Sequence, residues 1–95
     1  AVVFEEAKCS RCHTGEYYTD MKRHDVGTGL EEYKGFAFDT PTLREVWRTA
    51  PYLYDGRART IFDMLKFHNK GDRHGVTSHL TDDDLRDLEA FVNSL

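Results

Sequence analysis

Cys9-Ser10-Arg11-Cys12-His13 is the stretch from which the rest of the chain can be read. On a helical turn Cys9, Cys12 and His13 stand at i, i+3 and i+4, so all three project from one face. Two thiols on that face can close thioether bonds to the two vinyl groups of a single porphyrin. The imidazole beside the second thiol then reaches the iron. The C-x-x-C-H spacing is the attachment signature for c-type haem. The chain has two cysteines in all, so the motif uses the whole supply. Other uses of a Cys pair fit less well. A structural zinc site takes four ligands, often as two separated pairs, and there is no second pair here. A thioredoxin-like redox motif belongs beside a βαβ pattern, and no alternating strand pattern is present. A disulfide between the two cysteines would leave His13 without a role.

Working outward, residues 2–12 read as a first helix that delivers the motif, with Val3, Phe4 and Ala7 as its apolar stripe. Glu5 and Glu6 lie towards its positive end. Residues 14–39 show no clean period but contain four glycines and Tyr17, Tyr18, Tyr33, Phe36 and Phe38. A loop of this length in a small domain needs a function. An aromatic-rich loop wrapped around a cofactor supplies one. Thr40-Pro41 has the form of an N-cap followed by proline at the first helical position. Leu43, Val46 and Trp47 then give a short amphipathic helix, ended by Pro51, and Asp55-Gly56 marks a turn.

Residues 61–69 read as the next helix, with Thr60 as cap and Asp63 three residues on. Its inner stripe is Ile61, Met64, Leu65 and His68, and Gly71 closes it. Residues 70–79 form a polar loop in which His74 and His79 are expected to be solvated. The last helix runs from Asp82 to about Ser94. Thr81 caps it, three aspartates fill its positive first turn, and Leu85, Leu88, Phe91, Val92 and Leu95 make its buried stripe. About four helices around one covalent haem, with the first and last crossing, give an all-α, class I cytochrome c-like fold. The expected domain is residues 1–95, a single one.

A domain of 95 residues buries only a modest core. A covalent haem adds a large apolar disc for side chains to pack on, and an aromatic content of 13% suits its lining. The net charge of -4 and the lack of a basic cluster argue against nucleic acid as a partner. No transmembrane segment is expected, because no stretch is long and apolar enough to span a bilayer. The chain begins at Ala1-Val2-Val3-Phe4 without a secretory signal, so it reads as a mature chain or a domain cut from a longer protein. Haem is joined to such motifs outside the bacterial cytoplasmic membrane, in the periplasm or an equivalent compartment, and that is the expected localisation.

Two blocks are more specific. Phe38-Asp39-Thr40-Pro41-Thr42-Leu43-Arg44-Glu45-Val46 and Thr49-Ala50-Pro51-Tyr52-Leu53-Tyr54-Asp55-Gly56-Arg57 resemble a segment of the C-terminal haem domain of bacterial di-haem cytochrome c peroxidases and MauG-like enzymes. His24-Asp25-Val26-Gly27 resembles a further piece of that domain. Leu80-Thr81-Asp82-Asp83-Asp84-Leu85, with Phe91, Val92 and Leu95, resembles its closing helix. The likeness covers nearly the whole chain. Tyr54 stands where the family commonly has histidine. The family's distal position carries methionine in peroxidases and tyrosine in MauG-like enzymes, and the resemblance puts His68 there. The family's N-terminal haem domain, where peroxide turns over in the peroxidases, has no counterpart in this sequence.

His13 and His68 are therefore the expected axial ligands of the iron. Met64, one turn earlier on the same face, is the next candidate, followed by Met21 and His24 in the loop, and then by an open site. Tyr52, Trp47 and Arg57 are candidates for contact with haem edges or propionates, although Trp47 is first of all a core residue by its stripe. Arg44 and Arg59 share the propionate option with Arg57. The leading expectation is a mono-haem domain that passes single electrons to a redox partner protein or a neighbouring domain. The alternative is a peroxidase-related domain or fragment, which needs an open or displaceable iron ligand. A haem-based sensor is the third class, and no signalling segment supports it.

Overall fold

The computed structural model describes residues 2–95. Three α-helices carry the fold: α1 (Val2–Glu6), α2 (Ile61–Phe67) and α3 (Asp82–Asn93). The frame is mainly helical, as expected, but among the described residues it has three α-helices rather than about four, and a short antiparallel pair lies between them, β1 (Arg23–His24) with β2 (Phe38–Asp39). Arg23 faces Asp39 and His24 faces Phe38, so the pair ties the neck of the long loop between them.

α3 forms as its sequence dictates. The Thr81 hydroxyl accepts from the Asp84 N–H at 3.1 Å, and the Asp84 carboxylate accepts from the Thr81 N–H at 3.1 Å, a reciprocal capping box. Asp82, Asp83 and Asp84 lie in the positive first turn. Leu85, Leu88 and Val92 are buried along one stripe. That stripe packs on α1 through Phe4, on Ala7 just after it, and on α2 through Ile61 and Leu65, with Leu43 and Val46 completing the core. Phe4 meets Phe91 with ring centroids 5.1 Å apart and Tyr18 edge-on at 6.0 Å. α2 starts at Thr60, whose hydroxyl accepts from the Asp63 N–H at 3.0 Å. Glu89 on α3 accepts from the Phe62 N–H at 2.7 Å, which satisfies another free donor of that terminus.

The helix expected over residues 61–69 ends at Phe67, with His68 as its cap, and two further helices are much shorter than their patterns. The helix over residues 2–12 stops at Glu6, Lys8 turns left-handed at φ 63°, and Cys9–Arg11 form a tight 3-10 turn. The cause is a competing tertiary bond. The Ala7 carbonyl, which a continuous helix would offer to Arg11, accepts instead from the Val76 N–H at 2.7 Å. The helix expected over Leu43–Trp47 is one 3-10 turn, Val46–Arg48, entered through Glu45 at φ 55°. The Thr42 hydroxyl accepts from the Arg44 N–H and donates to the Tyr17 carbonyl, which draws the chain away from a helical start. Three-residue turns keep Leu43 and Val46 on one face and rotate Trp47 outward. Trp47 is accordingly 55% exposed and not a core residue.

The long loop is ordered by its own contacts. Phe38 stacks on Tyr54 at 4.8 Å and meets Phe36 at 4.8 Å, while Tyr33 lies 5.3 Å from Tyr54. These rings pack on one another, and Tyr33, Phe36 and Tyr54 stay exposed. Gly29 permits the tight fold of this loop, since a Cβ there would sit 1.9 Å from the Tyr33 carbonyl oxygen.

Candidate functional site

The Cys9–His13 turn keeps the geometry its spacing requires. The His13 N–H donates to the Cys9 carbonyl at 3.0 Å and the Cys12 N–H to the same oxygen at 3.3 Å, so the three side chains leave one turn. His13 Nδ1 donates to the Tyr18 carbonyl at 3.0 Å. That bond fixes the tautomer and leaves the lone pair on Nε2, the arrangement a metal-binding imidazole needs. Burial pushes the His13 pKa down against the upward pull of the Tyr18 and Pro41 carbonyls, which favours the neutral ring. Burial pushes the Cys9 thiol up to about 11, with Glu5 and Cys12 adding to it. The Cys12 thiol is also raised, first by burial and then by Asp20. Neither thiol is held as the resting thiolate of a redox motif.

Asp20 and His24 flank Cys12. His24 Nε2 lies 2.6 Å from an Asp20 oxygen, and the ligating atoms of Cys12, Asp20 and His24 fall within 4.8 Å of one another. Burial raises the Asp20 carboxyl, but hydrogen bonds from His24, the Lys22 N–H and Thr40 outweigh it and carry it down to about 2. His24 is thus brought to the motif and already holds a partner.

His74 is the residue that sequence reasoning placed wrongly. It is half-buried rather than solvated. Its Nδ1 is the one fully enclosed side-chain nitrogen or oxygen without a hydrogen-bond partner among the described residues. Burial, with the nearby His13 ring second, pushes its pKa down to about 4. Its polar neighbours in sequence suggested solvent, whereas Asn69 spends its side chain on this loop. A histidine directly before a glycine, downstream of Asn69 and Asp72, was the signal available. His79 is exposed, as expected.

The other expected ligands stand apart. His68 is the C-terminal cap residue of α2, half-buried, and its Nδ1 accepts from Arg57 Nε at 3.4 Å. Arg57 also donates to the Thr28 carbonyl at 2.6 Å and to Asp55 at 3.0 Å, so it clamps two loops beside His68. Met64 packs against the core, and Met21 is 89% exposed. Tyr52 donates its hydroxyl to the Val46 carbonyl at 3.0 Å and lines one cleft with Trp47, Arg59 and Glu89. Arg44 donates to the Glu16 carbonyl at 2.8 Å and lies over the Tyr18 ring.

Two half-buried thiols and a neutral, tautomer-fixed imidazole on one turn, beside a loop that holds an unpartnered enclosed nitrogen, suit a covalently held porphyrin. That donor set on a mainly helical frame defines a c-type haem domain. The sequence profile of the cytochrome c family matches residues 1–95, and the chain belongs to that family. Membership implies covalently bound haem c, which supplies one-electron iron chemistry when bound.

Similar proteins agree. The chain is 31% identical to hydrazine synthase subunit gamma of Kuenenia stuttgartiensis, covering 98% of this chain and 39% of that protein. It is 27% identical to the methylamine utilization protein MauG of Methylorubrum extorquens, covering 95% of the chain and 31% of that protein. It is 34% identical to the cytochrome-c peroxidase IdrP1 of Denitromonas iodatirespirans, covering 85% of the chain and 21% of that protein. The solved structure of Kuenenia stuttgartiensis hydrazine synthase pressurized with 20 bar xenon superposes with a TM-score of 0.85 at 29% identity, over 98% of this chain and 44% of that one. The resemblance to MauG and peroxidase haem domains thus holds, and the chain spans less than half the length of these relatives.

Proposed function

We propose that this domain carries one haem c on Cys9, Cys12 and His13 and passes single electrons through a six-coordinate iron. The observation that carries this reading is the His13 ring, its Nδ1 bonded to the Tyr18 carbonyl, beside two thiols held towards the protonated form. One motif and two cysteines support one haem. The sixth position takes a second imidazole, for which the chain offers His68, from the family resemblance, and His74, from the fold. Arg57 is the proposed propionate partner, and Tyr52 with Trp47 the proposed edge contacts. The exposure of Trp47 suits an edge-facing role better than a core one. The redox partner is another protein or a neighbouring domain. Haem attachment chemistry supports a location outside the bacterial cytoplasmic membrane. Among the described residues, no helix is long and apolar enough to cross a membrane.

A peroxidase-related role is the second reading, favoured by the similarity to IdrP1 and MauG. Peroxide must displace an iron ligand and find an acid–base group. The discriminating experiment compares electron exchange with small mediators against hydrogen peroxide turnover in the haem-loaded domain. Fast mediator exchange with slow peroxide turnover is expected. Fast, saturable peroxide turnover with an electron donor would replace the carrier reading by the peroxidase one.

A further inference from the structure

The loop from Asn69 to Ser78 is fastened more firmly than a polar surface loop requires. Asn69 Oδ1 accepts from the His74 N–H at 2.7 Å, and Asn69 Nδ2 donates to the Gly75 carbonyl at 3.1 Å and to the Thr77 hydroxyl at 2.8 Å. Asp72 accepts from the Thr77 N–H at 3.0 Å and the Ser78 N–H at 2.9 Å. The loop is also nailed to the motif. The Val76 N–H donates to the Ala7 carbonyl at 2.7 Å, and a Cβ on Gly75 would lie 3.0 Å from that oxygen and 3.8 Å from Cys9 Sγ. Gly75 takes φ +78°, where a side chain would be strained. His74 is therefore held by its own backbone N–H to Asn69 on one side and by the Val76 bond to the Ala7 carbonyl on the other.

All this fixes a ring whose enclosed Nδ1 has nothing to bond. A buried polar atom left unpaired is costly, and proteins rarely build one without a partner in view. The remaining imidazoles are committed or remote. His24 is paired with Asp20, His68 takes Arg57 on Nδ1, and His79 faces solvent. His74 lies within electrostatic reach of the His13 ring.

We infer that His74, rather than His68, supplies the second axial imidazole of the iron held by His13. The inference rests on the haem reading given above and adds which residue closes the site. His68 is then a positioning partner of Arg57, and the loop 69–78 is the distal wall.

The test uses the haem-loaded protein and its electronic and spin-resonance spectra. The wild-type protein is expected to be low-spin in both oxidation states, without a thioether–iron charge-transfer band. His74→Gly should become high-spin, bind carbon monoxide when reduced, and return to low spin on adding free imidazole. His68→Ala should keep the wild-type spectrum. His74→Met guards against a variant that does not fold, since it should gain the thioether band. A high-spin His68→Ala together with a low-spin His74→Gly would overturn the assignment. So would an unchanged spectrum in His74→Met, or a wild-type iron that is already open or methionine-bound. Failure of the underlying haem reading looks different, because the wild-type protein would then carry no covalent haem at all.

Discussion

At the scale of single residues, the chemistry-bearing turn was legible because its signal is local. Three side chains at i, i+3 and i+4 need only one turn of chain to meet, and the shift from α to 3-10 geometry at Cys9 leaves them on one face. His74 was not legible, because the loop that carries it is tied down by Asn69 and by the bond from Val76 to Ala7, more than sixty residues earlier. Gly75 lies beside that bond. Gly75→Ala puts a Cβ against the Ala7 oxygen at a left-handed φ. It should cost about 1–2 kcal/mol from backbone strain alone, read as a fall in ΔG by chemical denaturation. An unchanged ΔG would show that the loop does not press on the motif.

Asp20 supports a prediction on pH. Its pKa is depressed from 3.8 to about 2, the hydrogen bonds from His24, Lys22 and Thr40 overcoming the upward effect of burial. A depressed carboxyl stabilises the fold above its ordinary value and loses that contribution as pH falls towards the folded value. Stability should therefore decline between about pH 4 and pH 2 through this group, and Asp20→Asn should flatten that part of the curve. An acid titration followed by circular dichroism compares the two proteins. Superimposable curves would show that the Asp20–His24 pair contributes nothing to acid stability.

At the scale of elements, the helices that fold as expected are those whose caps and stripes are both encoded locally. Thr81, Asp84 and the Leu85–Leu88–Val92 stripe describe α3 almost to the residue, and Thr60 starts α2 where expected. Thr81→Ala removes one side of the capping box and should cost about 1 kcal/mol, measured by thermal or urea unfolding. Thr81→Ser should retain most of it. Equal losses in both variants would mean that the methyl group, not the hydroxyl, matters. The elements that fall short of their patterns do so where a side chain or a distant loop takes a backbone group first. Val76 takes the Ala7 carbonyl, and Thr42 turns the chain before Leu43. An apolar spacing of three and four does not separate an α-helix from a 3-10 turn when only two of its positions are buried, which is how Trp47 ended outside the core.

For the whole molecule, the sequence carried the family and the mainly helical frame, since the motif, the Thr-Pro block and the closing helix are spread over nearly its full length. The aromatic loop is another matter. Its rings satisfy one another at the surface, so counting aromatics overstated how much of that loop faces the motif. In the proposed function the domain is an iron site closed by two imidazoles, in which the cofactor does the electron chemistry and the chain sets access and burial. The similar proteins are more than twice as long as this chain.

The central claim is covalent attachment at the Cys9–His13 turn. Its most direct test is the intact mass of the purified, denatured chain after expression with a haem-attachment system. The account predicts the polypeptide mass raised by one haem, with the Cys9→Ser, Cys12→Ser double variant at the bare polypeptide mass. A wild-type chain at the bare polypeptide mass would contradict it.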